Sequence, residues 1–445
     1  MRGPTIWWRG VCWTSMLGGL LAFVSPGVSQ AAEYGYSLEY RGEQRDNTTL
    51  VGTNALSDWV NIGGATLYLR DPNAQTLRTD IFLDARYEDY SKDTVADRTL
   101  LTLNSNITWL IVPDGLSWVL EDYFGQISRD VLLADAPSNQ RNVNIVSTGP
   151  DVSLRLNPVN MLLASLRAGK YNVGQLVETD PDRDSNRYYG LVGWRYIASA
   201  TTNLSLNYDT MRRQFEDTKV NTDYDLRNAY FRLESRRTAR SLVSLDLGKS
   251  RVVPEGFEAI DGNLVRALYT LRMGVASNLR ITANSQLTDT SRAILSSGGV
   301  STVTTPIGTV GGSDTYRLKE VDASYTQQRG YGSDRLRLFA QRQDYEGSLL
   351  DRERAGAYLD LGFGLTDTLS GAVFGNYITT HYTDQLFIDR DGRVGIRFSY
   401  RARQRLVFGL EARKTNRDSS DVARNYDETR AIVSIAYRSI SFHID

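Results

Sequence analysis

The chain has 445 residues, 51 Lys and Arg against 52 Asp and Glu, a formal net charge of −1 and a single cysteine. So even a balance excludes a polyanion or nucleic-acid binder that works through bulk charge, and one cysteine excludes a disulfide framework or a cysteine metal site. Beyond the N-terminal segment no apolar run approaches the roughly 20 residues of a spanning helix, so a membrane role is open only to a closed barrel.

Residues 1–31 read as a secretory signal. Arg2 and Arg9 precede an apolar stretch around Met16 to Val24, and Ser29-Gln30-Ala31 offers small residues where a signal peptidase reads. Cys12 lies inside this segment, so the expected mature chain, 32–445, carries no thiol.

From there on the dominant period is two. Ile81, Leu83, Ala85 and Tyr87 oppose Asp80, Asp84, Arg86 and Glu88, and Leu101, Leu103, Ile107 and Trp109 oppose Thr102, Asn104, Asn106 and Thr108. Leu279, Ile281, Ala283 and Leu287 alternate with Arg280, Thr282, Asn284 and Gln286. Near the C-terminus Val394, Ile396, Phe398 and Tyr400 oppose Arg393, Arg397, Ser399 and Arg401. Segments of about 10 to 13 residues suit a tilted crossing of a bilayer, whereas soluble sheets favour about 5 to 6. The pattern predicts about twenty strands (range 18–22): 34–41, 59–70, 77–90, 98–110, 116–128, 143–156, 161–173, 187–197, 201–213, 225–236, 241–250, 263–274, 279–290, 316–328, 333–344, 354–365, 368–380, 391–402, 404–415 and 428–440.

Short connections, such as Asn157-Pro158 and Thr366-Asp367, alternate with long polar ones, such as 129–142, 172–186 and 291–314. This is the arrangement of a transmembrane antiparallel up-and-down β-barrel with short periplasmic turns and long extracellular loops. It makes the strand number even and puts both termini in the periplasm. Pro72, Pro113, Pro158, Pro181, Pro254 and Pro306 fall in expected connections, while Pro150 interrupts the segment 143–156, which is expected to be bulged, shortened or not a strand at all. Trp109, Trp118, Trp194 and Tyr196 stand beside short turns, as an aromatic girdle would. Strands and connections leave no room for a plug domain, which speaks against an energy-coupled receptor.

The same alternation selects the residues expected to line the lumen. They are Arg78, Asp80, Asp84, Arg86, Arg232, Asp246, Arg266, Arg272, Arg280, Asp322, Arg335, Arg337, Arg393, Arg397, Arg401, Arg405, Glu411, Arg413, Arg430 and Arg438. Barrels of 16 or more strands leave an aqueous channel, and a wall of arginine and carboxylate offers forked donors and acceptors to hydroxyl-rich or acidic solutes. The last strands, 391–438, hold more inward arginine than inward acid, which predicts a positive stripe and a mild preference for anions. The Gly/Ser-rich loop 291–314 is expected to stay outside, with an inward constriction as the alternative. No catalytic motif, metal-ligand spacing or cofactor loop is present. His381, at the outer end of a strand, is the candidate for an enzyme acting on lipid or glycan.

A first strand entered at once through Tyr34, Tyr36, Leu38 and Tyr40, Arg/Tyr/Asp-rich alternating strands throughout, and a terminal strand from Thr429 to Phe442 resemble the β-barrel porin family found with exopolysaccharide biosynthesis and export clusters in Gram-negative bacteria. The resemblance is diffuse over nearly the whole mature chain. It departs at the terminus, where Phe442 is followed by His443, Ile444 and Asp445 instead of ending the chain. It implies an outer-membrane pore for polysaccharide export or saccharide-like solutes, with outer-membrane lipid and periplasmic export components as candidate partners. No catalytic residues carry over. A loop-based scaffold or adhesin is the remaining alternative.

Overall fold

A strand in hydrocarbon must satisfy its backbone on both edges, because lipid offers no hydrogen bonds. This chain does so by closing on itself. The computed structural model describes residues 32–130, 132–174, 183–218, 221–292, 315–330, 332–345 and 350–439; the expected signal segment and most of the 291–314 loop lie outside them. Twenty strands follow in order: β1 (Glu33–Arg45), β2 (Asp58–Asp71), β3 (Leu77–Tyr90), β4 (Arg98–Val112), β5 (Leu116–Ser128), β6 (Gln140–Asn157), β7 (Asn160–Val173), β8 (Ser185–Ser199), β9 (Thr202–Phe215), β10 (Tyr224–Thr238), β11 (Ser241–Pro254), β12 (Ile260–Arg272), β13 (Ser277–Asp289), β14 (Thr315–Arg329), β15 (Gly332–Tyr345), β16 (Arg352–Gly364), β17 (Leu369–Tyr382), β18 (Phe387–Arg401), β19 (Leu406–Ser419) and β20 (Tyr426–Arg438). Each pairs antiparallel with its sequence neighbours, and β1 closes the cylinder against β20 from Ser37 opposite Arg438 to Arg45 opposite Arg430.

The connections at one end, including 72–76, 113–115, 158–159 and 402–405, are five residues or fewer, and both ends of the barrel chain, Glu33 and Arg438, lie there. This is the periplasmic end of an outer-membrane barrel. At about 3.3 Å rise per residue and a tilt of about 40°, even a 13-residue strand climbs about 33 Å, more than the roughly 25 Å apolar band of such barrels. The strands therefore project past the bilayer, and their long-loop ends need not face lipid.

Pro150 lies inside β6 and marks the irregularity expected there. Trp118 of β5 faces it in register, but the β6–β7 ladder skips from Thr148 opposite Ala168 to Asp151 opposite Ser165. The Arg167 guanidinium fills the gap in this ladder by donating to Gly149 O (3.3 Å) and Pro150 O (3.2 Å). Only glycine fits at 149, since a Cβ there would lie 2.1 Å from Leu166 O.

Candidate functional site

The register divides the residues into an inner and an outer face, and the inner face changes character along the barrel axis. At the long-loop end it is packed. Met211, Phe215, Tyr224, Leu226 and Val252 of β9 to β11 bury together with Leu287 of β13. Leu287 belongs to the outward register in the regular part of β13, and it reaches this cluster because β13 leaves the wall. Its pairing with β12 stops at Val265 opposite Ser285, while its pairing with β14 continues to Asp289 opposite Thr315. The freed end folds over the inner faces of its neighbours. There Asp289 meets Arg213 at 3.4 Å, both side chains wholly buried, and accepts from the Tyr224 hydroxyl. Ser185 accepts from Arg213 Nε (2.9 Å), and the guanidinium lies 4.5 Å from the Tyr171 ring centre. Just beyond, Arg292 reaches Asp209 at 3.4 Å. On the wall side, Arg317 Nη2 of β14 donates to Asp261 O of β12 across the split seam.

The connection 129–139 closes the same end from another direction. Asn139 folds it, accepting from Asp130 N (3.0 Å) and donating to Asp130 O (2.7 Å) and Ala134 O (3.0 Å). Its Leu132 packs against Tyr316, Leu318 and Tyr345 of β14 and β15, strands on the far side of the circle from β5. The segment therefore bridges the outer opening.

Many inner-face arginines in the outer and middle parts of the barrel are paired with acid, although Arg187, which donates to Met211 Sδ (2.9 Å), and Arg354, over the Phe339 ring, meet none among the described residues. Arg45 holds Glu43 at 2.7 Å, Arg98 holds Glu88 at 2.7 Å, and Arg417 holds Asp391 at 2.7 Å. Arg232 grips Asp246 with two hydrogen bonds of 2.6 and 2.8 Å, and Arg266 shares that carboxylate at 3.4 Å. Toward the short turns the pairing ends. Arg78, Arg155, Arg195, Arg272, Arg280, Arg335, Arg401 and Arg438 all occupy the inner register within five residues of the short-turn end of β3, β6, β8, β12, β13, β15, β18 and β20. Among the described residues none of the eight forms an ion pair, whereas the nearby carboxylates Asp80, Asp151 and Asp360 are taken by Arg70, Arg167 and Arg397.

The outer face is its inverse. Leu38, Leu206, Val394 and Leu410 are each more than half exposed, and Trp109 and Trp118 stand directly opposite one another beside a short turn. A continuous apolar belt of this extent around a closed antiparallel cylinder belongs in lipid. The chain is an outer-membrane β-barrel.

No family model matches this barrel, and no curated protein does. Solved structures similar over 92% of the chain include three from Pseudomonas aeruginosa. The siderophore receptor PirA has 8% identity, a TM-score of 0.43 and 80% of its own chain covered. A point mutant of the ferric enterobactin receptor PfeA has 8%, 0.48 and 80%. OccK2 (OpdF) has 12%, 0.37 and 98%. Similarity this distant bears on neither substrate nor mechanism.

Of the arginines and carboxylates read from the alternation, Arg405 alone leaves the wall. It sits in the 402–405 turn and donates to the Tyr437 hydroxyl (3.1 Å), which belongs to the outward register. Alternation carried the inner face one position too far because β19 begins only at Leu406. The others occupy inner positions. Besides the residues already placed, Asp84 binds Arg86 (2.8 Å), Asp322 binds Arg337 (2.5 Å), Glu411 binds Arg413 (3.3 Å) and Arg430 binds Glu428 (2.7 Å), while Arg393 stays on the inner register of β18. The positive stripe expected over 391–438 is largely answered, because acids arrive from strands that a linear reading does not bring near. Asp360 of β16 meets Arg397, and Glu43 of β1 comes within 3.6 Å of Arg430 through closure. The unanswered charge is instead a ring at the short-turn mouth. Arg213, Asp289, Leu132 and Glu43 were not among the expected residues. His381 lies on the outward register of β17 opposite Glu353, and His443 is outside the described residues.

Proposed function

We propose that the barrel is a passive outer-membrane pore with a lumen suited to saccharide-like solutes, in the setting of polysaccharide export. The carrying observation is the polar inner face, where arginines, carboxylates, Asn and Thr line the wall of a twenty-stranded cylinder, a size that leaves a water-filled passage. Fixed forks of guanidinium and carboxylate can exchange hydrogen bonds with successive hydroxyl groups without an apolar trap. The folded-in end of β13 and the bridging segment 129–139 narrow the outer opening, so the basal passage is small and is set by these two elements.

Reconstituted into planar bilayers, the folded protein is expected to give discrete steps of current, and deletion of 129–139 to enlarge them. A folded barrel that conducts in neither form contradicts the reading. The resemblance to the exopolysaccharide-associated porins supports an export role. Loss of surface polysaccharide on deletion of the gene, restored by the wild-type chain, is the expected outcome in a cell that makes one.

A further inference from the structure

Resting on the pore reading, we infer that the eight unpaired arginines of the short-turn mouth form a binding ring for a linear polycarboxylate that enters from the periplasmic side. Successive members stand one to four strands apart around the circle; the widest gap, β8 to β12, is where the inner-face carboxylate Glu234 lies. The charge is therefore distributed around the opening and not confined to one wall.

Two features set the ring apart from ordinary surface charge. First, acid and base are nearly equal in number over the chain, and above the ring the arginines that meet no acid, such as Arg187 and Arg354, lie half-buried against Met211 and Phe339, while others such as Arg45, Arg232 and Arg417 are matched to carboxylates. Eight unmatched cations gathered at one opening are a concentration not repeated elsewhere on the described inner wall, and like charges around one opening repel each other unless an anion joins them. Second, the side chains are available. Arg78, Arg155, Arg272, Arg280 and Arg401 are exposed, and Arg438 Nε is buried with no hydrogen-bond partner.

Arginine selects the ligand chemistry. Its planar fork matches a carboxylate with two parallel bonds and keeps its charge at any physiological pH. A single exposed pair is weak, so a monomeric acid gains little. A chain long enough to meet several members converts each later contact into an intramolecular one, and its affinity multiplies. Lipid headgroups cannot compete, because the ring faces the lumen and not the bilayer.

The test is the binding of a fluorescent oligogalacturonate of about ten units to the full folded barrel in detergent, read by anisotropy, beside a neutral dextran and the galacturonate monomer. The wild type is expected to bind the oligomer, weakening steeply with salt, and to bind neither control. Combining Arg78→Gln, Arg272→Gln, Arg280→Gln, Arg335→Gln and Arg401→Gln should cost at least tenfold in affinity. Arg212→Gln, Arg227→Gln and Arg251→Gln on the outer face should cost less than twofold. In bilayers the oligomer should block current from the short-turn side and not from the other. No binding by the wild type, equal loss in the two variant sets, or equal block from both sides overturns the ring. A barrel that conducts but does not bind keeps the pore and loses the ring, and one that binds but does not conduct does the reverse.

Discussion

Arg213 and Arg280 are both inner-face arginines of one barrel, yet Arg213 has no exposed surface and is held by Asp289 and Ser185, whereas Arg280 is exposed and meets no carboxylate among the described residues. The outer end commits its charges to structure. There a guanidinium is removed from water with Nε on Ser185 and Nη1 on Asp289, though its Nη2 is buried without a hydrogen-bond partner, and this locks the folded-in end of β13 against the wall. The short-turn end leaves its charges to water and so to a solute. The same residue type thus serves as a latch at one mouth and as a receptor at the other, and burial with a matched acid decides which.

The sharpest way to break this comparison is Asp289→Ala, which strands the Arg213 charge in a dry site and is expected to cost about 3 to 5 kcal/mol. Urea unfolding in detergent measures it, and single-channel current should rise as β13 loosens; a loss below about 1 kcal/mol would mean that the latch is not holding. The lipid belt gives the next largest effect. Leu206→Arg on the outer face is expected to cost about 2 to 4 kcal/mol if its position lies near the bilayer centre, by the same unfolding measurement. At the other mouth Arg78→Gln should change stability by no more than about 0.5 kcal/mol, as for other exposed unpaired side chains. It should nonetheless lower the preference for anions read from reversal potentials in a salt gradient. Smallest of all, His381→Ala should leave stability, current and the outer-membrane lipid profile unchanged.

Period-two alternation made the cylinder legible in the sequence. The segments expected at 77–90 and 116–128 coincide with β3 and β5, and each of the other eighteen overlaps its strand. Alternation reports which way a side chain points within a wall, and it works wherever the strand stays in that wall. It fails at Leu287 and Asp289, which carry the outward parity but turn into the lumen once β13 parts from β12. It also fails at Leu132, whose partners lie across the barrel, Tyr316 being 184 residues further along the chain. The inner-face list was readable for the same reason that its pairing was not: parity gives the face, but pairing depends on stagger between strands and on closure of β1 against β20.

Latch and receptor together require an inner wall that around β10 is open to water at the short-turn end and packed against the folded-in end of β13 at the long-loop end. With Cys12 replaced by Ser, single cysteines along β10 and a water-soluble charged thiol reagent measure this directly. Rapid labelling is predicted at positions 232 and 234, and almost none at inner positions 226 and 228 or at lipid-facing positions 231 and 233. Labelling at 226 as fast as at 234, or at 233 as fast as at 234, would contradict it.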